Sequence, residues 1–170
     1  MPGALVEVAV ESVRVHMLSN QHVVLLRQTD RERYLPIWIG PWEANAIATR
    51  LQGIAPERPL THDLFAATLE QLGAGVKRVI VSSLADETFH ATLELELDGR
   101  TVEVDARPSD ALALAVRAGV RIFVSEEVMD RAGVEPDVEV DENLEVFREF
   151  VNSLDMDLGE DTPEGPASPE

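Results

Sequence analysis

Apolar and polar residues alternate over residues 4–16 (Ala-Leu-Val-Glu-Val-Ala-Val-Glu-Ser-Val-Arg-Val-His), the period of a half-buried strand. His22 to Arg27 and Tyr34 to Ile39 repeat the pattern around a polar turn at Thr29-Asp30-Arg31-Glu32, which predicts an antiparallel meander. Pro36 carries no N–H for a ladder, so the third strand is expected at an edge or a bulge. Gly40-Pro41 closes that strand and opens a helix from Trp42 to Leu51, ending at Gly53. Pro56 and Pro59 bar a helix from the next link. Thr61 is then read as the cap of a second helix, whose apolar stripe is Leu64, Phe65, Thr68, Leu69 and Leu72 before Gly73. A second meander follows in Val76–Leu84, Thr88–Leu97 and Thr101–Asp105, with Asp98-Gly99 as a hairpin turn.

The second meander runs straight into Ala106-Arg107-Pro108-Ser109-Asp110-Ala111-Leu112-Ala113-Leu114-Ala115-Val116-Arg117. Alternation gives way here to Ala and Leu at helical spacing, so a strand turns sharply into a helix. Pro108 biases Arg107 away from helical angles, and Ser109 is read as the cap. The helix stops at Gly119. Val120 to Val124 gives a short strand, and Ser125 caps a short helix through Arg131. Beyond Glu135, a last amphipathic helix is expected from Asp141 or Asn143, with Leu144, Phe147, Phe150, Val151 and Leu154 on one face. Residues 155–170 are Gly, Pro, Asp and Glu in the main and read as disordered.

Charge changes this picture in one respect. The formal net charge is −18, but 13 acids and a single base fall between Glu135 and Glu170, which leaves the preceding body at only −6. That body still has no basic stripe, so a phosphate-bearing substrate has to be held by placed arginines, helix N-termini or metal ions. There is no cysteine, hence no disulfide, thiolate chemistry or Cys-type zinc site, which fits a reducing cytoplasm. No secretory signal is apparent, and no stretch approaches the ~20 apolar residues of a membrane span.

Three helix starts carry candidate chemistry. Glu43 lies in the first turn of one, Arg58 and then His62-Asp63 open the second, and Arg107 with Asp110 opens the third. Acids there need no function, because a first-turn carboxylate stabilises a helix by about 0.3–1 kcal/mol. Cations at the positive end are unfavourable, so Arg58 and Arg107 leave two readings: salt bridges to neighbouring acids, or a shared anion such as phosphate. In the second, nearby carboxylates would hold Mg²⁺ against that phosphate. His16, His22 and His90 lack metal-ligand spacing and read as packed or surface residues. No nucleophile elbow surrounds Ser109, and neither a P-loop nor a dinucleotide fingerprint is present.

Leu35-Pro36-Ile37-Trp38-Ile39-Gly40 with Glu43-Ala44 and Ile47-Ala48, then Arg58-Pro59-Leu60-Thr61-His62-Asp63-Leu64, then Asp105-Ala106-Arg107-Pro108-Ser109-Asp110-Ala111-Leu112-Ala113-Leu114-Ala115, together resemble the bifunctional nuclease family. The resemblance implies a compact α+β domain over residues 4–132, here a mixed, largely antiparallel sheet of two meanders with helices packed on it. Residues 133–154 would form an extension with one helix, and residues 155–170 an acidic tail. It also implies a homo-oligomer, a dimer or trimer, that cleaves RNA and DNA. Carried over by position, the candidate site residues are Glu43, Arg58, His62, Asp63, Asp105, Arg107, Ser109 and Asp110.

The leading expectation is a phosphodiesterase acting on nucleic acid in the cytoplasm. Its catalytic residues would be His62, Asp63, Asp105 and Asp110, its phosphate ligands Arg58, Arg107 and Ser109, and its divalent ion, Mg or Mn, would sit on Glu43, Asp105 and Asp110. The alternative is a non-catalytic module that binds a nucleotide or another anion in the same pocket and serves regulation or assembly. In a third reading, the motifs are capped, salt-bridged corners.

Overall fold

In a computed structural model of the chain, the described residues are 3–136 and 149–150. Alternating apolar positions give β1 (Leu5–His16), β2 (Gln21–Gln28) and β3 (Tyr34–Ile39), and helix-forming runs give α1 (Pro41–Leu51) and α2 (Thr61–Gln71). Then come β4 (Gly75–Ala85), β5 (Thr88–Leu97), β6 (Arg100–Ala106), α3 (Pro108–Ala118), β7 (Ile122–Ser125) and α4 (Glu126–Ala132). The strands form one seven-stranded sheet in the order β3-β2-β1-β7-β4-β5-β6, mixed and mostly antiparallel, so the chain is α+β as anticipated.

Each meander is local. Pro36 lies in β3, an edge strand, where a missing ladder donor is tolerated. Asp98 and Gly99, with φ of 51° and 75°, make the two-residue turn that sets Leu97 opposite Arg100. The four residues of β7 join the halves, running antiparallel to β1 and parallel to β4. Their burial explains why so short a strand holds the centre: Ile122 and Val124 pair with Val79 and Val81 on one side and Val8 and Val6 on the other.

All of these apolar residues share one sheet face, covered by α1, α3 and α4 through Ile47, Leu112, Leu114, Val128 and Met129. α3 is the central helix, with Ala111 to Ala115 all buried, and it ends at Gly119, whose φ of 65° suits a residue without Cβ. α2 differs. None of its residues is fully buried, and Leu64, Phe65 and Leu72 from the expected apolar stripe are exposed, while Ala66 and Leu69 pack partly against the core. Trp42 is exposed as well.

A buried arginine anchors the end of the domain. Arg33, 5% exposed, donates to Glu126 at 2.7 Å and Asp130 at 2.5 Å on α4, and Val134 exchanges backbone hydrogen bonds with Tyr34. The anticipated helix near 141–154 falls outside the described residues except at Glu149 and Phe150, which are helical; Phe150 stacks on His16 and meets Trp38 edge to face. The anticipated tail, 155–170, lies outside them. No helix among the described residues is long and apolar enough to cross a membrane.

Candidate functional site

Three helices begin near one end of the core, and each carries an acid at its third position. N-caps Gly40, Leu60 and Arg107 put Glu43, Asp63 and Asp110 in equivalent places on α1, α2 and α3. Two of the expected caps shift by a residue or two. Thr61 is the first helical residue rather than the cap, and Ser109 is the second, because Pro108 takes the first position and makes Arg107 the N-cap.

The three acids then do different work. Asp63 accepts the Leu60 N–H at 2.9 Å and the Arg117 Nε at 2.7 Å, with Arg117 also donating to the carbonyls of Ala46 and Ala113. Burial pushes the Asp63 carboxyl up, but those two donors outweigh it and hold the group below the usual carboxylate range. One oxygen caps α2 at Leu60 and the other ties α2, through Arg117, to α1 and α3, so both oxygens of Asp63 are engaged in structural contacts. Arg117 escaped the sequence reading, where it is an ordinary base in the last turn of a helix.

Glu43 turns back over Gly40, where a Cβ would collide with its carboxylate, and accepts from an Arg107 terminal nitrogen at 2.7 Å. Asp110 accepts from Arg107 Nε at 2.8 Å through one oxygen and from His62 Nε2 at 2.9 Å through the other. Glu43, Arg107, Asp110 and His62 thus form a continuous chain from α1 across α3 to α2. Both carboxylates raise the Arg107 pKa, with Asp110 the larger influence. The Arg107 side chain is nevertheless 65% exposed.

Arg107 stands between two clefts. The first, of ≈ 490 Å³, includes His62, Phe65, Val104, Asp105 and Asp110 in its walls. The second, of ≈ 500 Å³, lies on the other side of Arg107 among the starts of α1 and α3, the start of β2 and the β4–β5 turn. Ser109, buried to 6% exposure, lines the second.

Asp105 and Arg58 stand apart from the chain. Asp105 borders the first cleft, but β6 pairs Val104 with Leu93 and Ala106 with Ala91 on the core face, which puts Asp105 opposite Thr92 on the other face. Arg58 is exposed on the α1–α2 loop and makes no ion pair among the described residues. The anticipated metal set of Glu43, Asp105 and Asp110 is not gathered. Glu43 and Asp110 bracket a guanidinium, and no three His, Asp or Glu side chains among the described residues stand close enough to share an ion. A divalent cation would meet the fixed positive charge of Arg107 between those two carboxylates, so the arrangement does not fit one.

A family model described as "Bifunctional nuclease domain" matches residues 24–137. An uncharacterized protein of Mycobacterium tuberculosis is 44% identical over 160 residues, covering 89% of this chain and 96% of that protein. "Bifunctional nuclease 1" of Oryza sativa subsp. japonica and "Bifunctional nuclease" of Oryza minuta are each 24% identical over 126 residues, which is 72% of this chain and 38% of the rice proteins.

Proposed function

The chain belongs to the bifunctional nuclease domain family, and on that premise we propose that it hydrolyses phosphodiester bonds of RNA and DNA at the Glu43–Arg107–Asp110–His62 chain. The observation that carries the proposal is the His62–Asp110–Arg107 contact, which joins a proton carrier, its orienting carboxylate and a phosphate-binding cation from two helices 48 residues apart. An ionised carboxylate only accepts, so Asp110 holds the His62 proton on Nε2 and leaves Nδ1 as the ring's acceptor for a proton from attacking water. Arg107 holds the phosphate and opposes the charge that builds on its oxygens. Glu43 and Asp110 fix the guanidinium in place, and Asp63 positions His62 by fastening α2.

This reading uses no divalent ion. Purified protein with labelled single-stranded RNA and DNA tests it: cleavage persists in excess EDTA, and His62→Ala lowers kcat/KM by about 10²–10⁴-fold. Cleavage that EDTA abolishes and Mg²⁺ or Mn²⁺ restores would overturn the ion-free site, and absence of cleavage under every metal condition would overturn the nuclease. The acidic body favours one other reading, a module that binds a nucleotide without turning it over, and tight nucleotide binding with no product would establish it.

Self-association belongs to the same proposal. α2 and its C-cap present Leu64, Phe65 and Leu72 to solvent while α2 carries His62, a combination suited to a second copy covering the outer side of the cleft. Light scattering on wild type and Leu64→Glu checks it: a dimer or trimer that falls to a monomer is expected, and a monomeric wild type would refute it.

A further inference from the structure

The start of α3 leaves more hydrogen-bond donors than the protein uses. Every helix begins with N–H groups that lack intrahelical acceptors, and burying them unpaired is costly. α4 meets the need with a side chain, Ser125 accepting from the Val128 N–H at 3.2 Å. α3 has no side-chain cap, although its first two residues, Pro108 and Ser109, are buried. Its third residue, Asp110, occupies the position from which Asp63 reaches back to bond the N-cap N–H of α2. Asp110 does not reach back, because His62 and Arg107 take its oxygens.

Two further polar groups belong to residues that line the second cleft. Ser109 is only 6% exposed, and its hydroxyl makes no hydrogen bond to another described residue. His22 Nδ1, on the wall formed by the start of β2, is buried without a partner. The cleft is therefore a walled space of ≈ 500 Å³, closed toward one end by Arg107, Pro108 and Ser109, the residues that open α3. Several donors without acceptors, at the positive end of an 11-residue helix and beside a cation, match a tetrahedral anion with several acceptor oxygens.

We propose that the second cleft is a phosphate subsite, distinct from the His62 cleft, which holds the phosphate and nucleoside next to the bond being cut. The phosphate sits on the α3 N-terminus and Ser109, and the nucleoside fills the space between β2, α1 and the β4–β5 turn. A strand then crosses over Arg107, with the reacting phosphate on the His62 side and its neighbour on the Ser109 side. The identity of the carrier rests on the nuclease reading; the anion site does not.

Amide NMR on the full chain provides the test, with inorganic phosphate, adenosine 5′-monophosphate and adenosine as probes. The Ser109 and Asp110 amides are expected to shift with phosphate and with the nucleotide, and the nucleoside alone is expected to bind far more weakly. Ser109→Ala leaves the thermal midpoint in place and weakens nucleotide binding about tenfold, the loss of one hydrogen bond to a charged group. In cleavage assays, the same variant raises KM on an oligonucleotide. Unmoved amides at millimolar phosphate, or a Ser109→Ala protein that binds the nucleotide as wild type does, would overturn the subsite. Phosphate binding that depends on Ser109 in a protein that cuts nothing would sustain the subsite and sink the nuclease; cleavage with KM untouched by Ser109→Ala would do the reverse.

Discussion

Replacing Asp63 with Asn removes one charge from the joint between α2 and the rest of the domain while keeping the side chain's size. The joint carries unusual weight, because no residue of α2 is fully buried and its apolar residues contribute little to the core. Arg117 is only 7% exposed and would keep its two carbonyl acceptors but lose its counter-charge. Breaking a fully buried pair costs about 3–5 kcal/mol; with Asp63 at 27% exposure, solvent screens part of the loss, and about 2–3 kcal/mol is expected. That corresponds to a drop in thermal midpoint of roughly 5–10 °C, measured by circular dichroism at neutral pH. The pH dependence has a defined sign. Since the folded-state pKa of Asp63 lies below its ordinary value of 3.8, its contribution is fully present above that value and disappears as pH falls through the lower, folded-state pKa. The gap between wild type and Asp63→Asn therefore narrows below about pH 4. A difference under about 0.5 kcal/mol at neutral pH, or a gap that does not change on acidification, would refute the assignment of Asp63 to this joint.

Arg33→Met, which leaves Glu126 and Asp130 without their shared cation, is expected to destabilise by about 1–3 kcal/mol, less than a fully enclosed pair because both acids face solvent. A denaturant midpoint equal to that of wild type would show that methionine packing replaces the ion pairs. Gly40→Ala forces the Glu43 carboxylate away from the N-cap and hence from Arg107, at a cost to the cap of about 1 kcal/mol. Oligonucleotide kcat/KM should fall about tenfold while the midpoint moves only a few degrees; unchanged kinetics would mean that Glu43 does not position Arg107.

Local signals suffice where one segment decides its own structure. Pro36 predicted an edge strand, Asp98-Gly99 a tight hairpin, and the Val-rich alternation both meanders. The central placement of β7 was hidden, because four apolar residues reveal burial but not neighbours, and its partners lie more than a hundred residues upstream in β1 and some forty in β4. Ser109 and Thr61 lie inside their helices rather than at the caps for a local reason: a hydroxyl near a helix start looks like a cap at either of two positions, and Pro108 fixes the register at only one of those helices. The stripe on α2 is a period that packing does not use in full, since Leu64, Phe65 and Leu72 are exposed. Of the site, the residue types were legible and the pairings were not. Asp105 stood two residues from Arg107 in sequence, yet strand alternation turned it to the opposite face, while Glu43 and His62 came in from 64 and 45 positions away.

The choice between a salt-bridged and an anion-binding Arg107 is a false opposition. Ion pairs to Glu43 and Asp110 are present, but they use Nε and one terminal nitrogen, and Nη1 has no acceptor among the described residues. A guanidinium offers five N–H donors in a rigid plane, so two carboxylates on one edge fix its orientation without exhausting it. Their charge also keeps the free site from attracting polyanions indiscriminately, which accords with a body at −6. A phosphate approaching the open edge meets an arginine that needs no reordering, flanked on one side by His62 and on the other by the uncapped start of α3. On the proposed phosphate reading, Glu43 and Asp110 are a positioning device for the cation, and affinity then has to come from donors placed at particular atoms, since the surface supplies no general positive field.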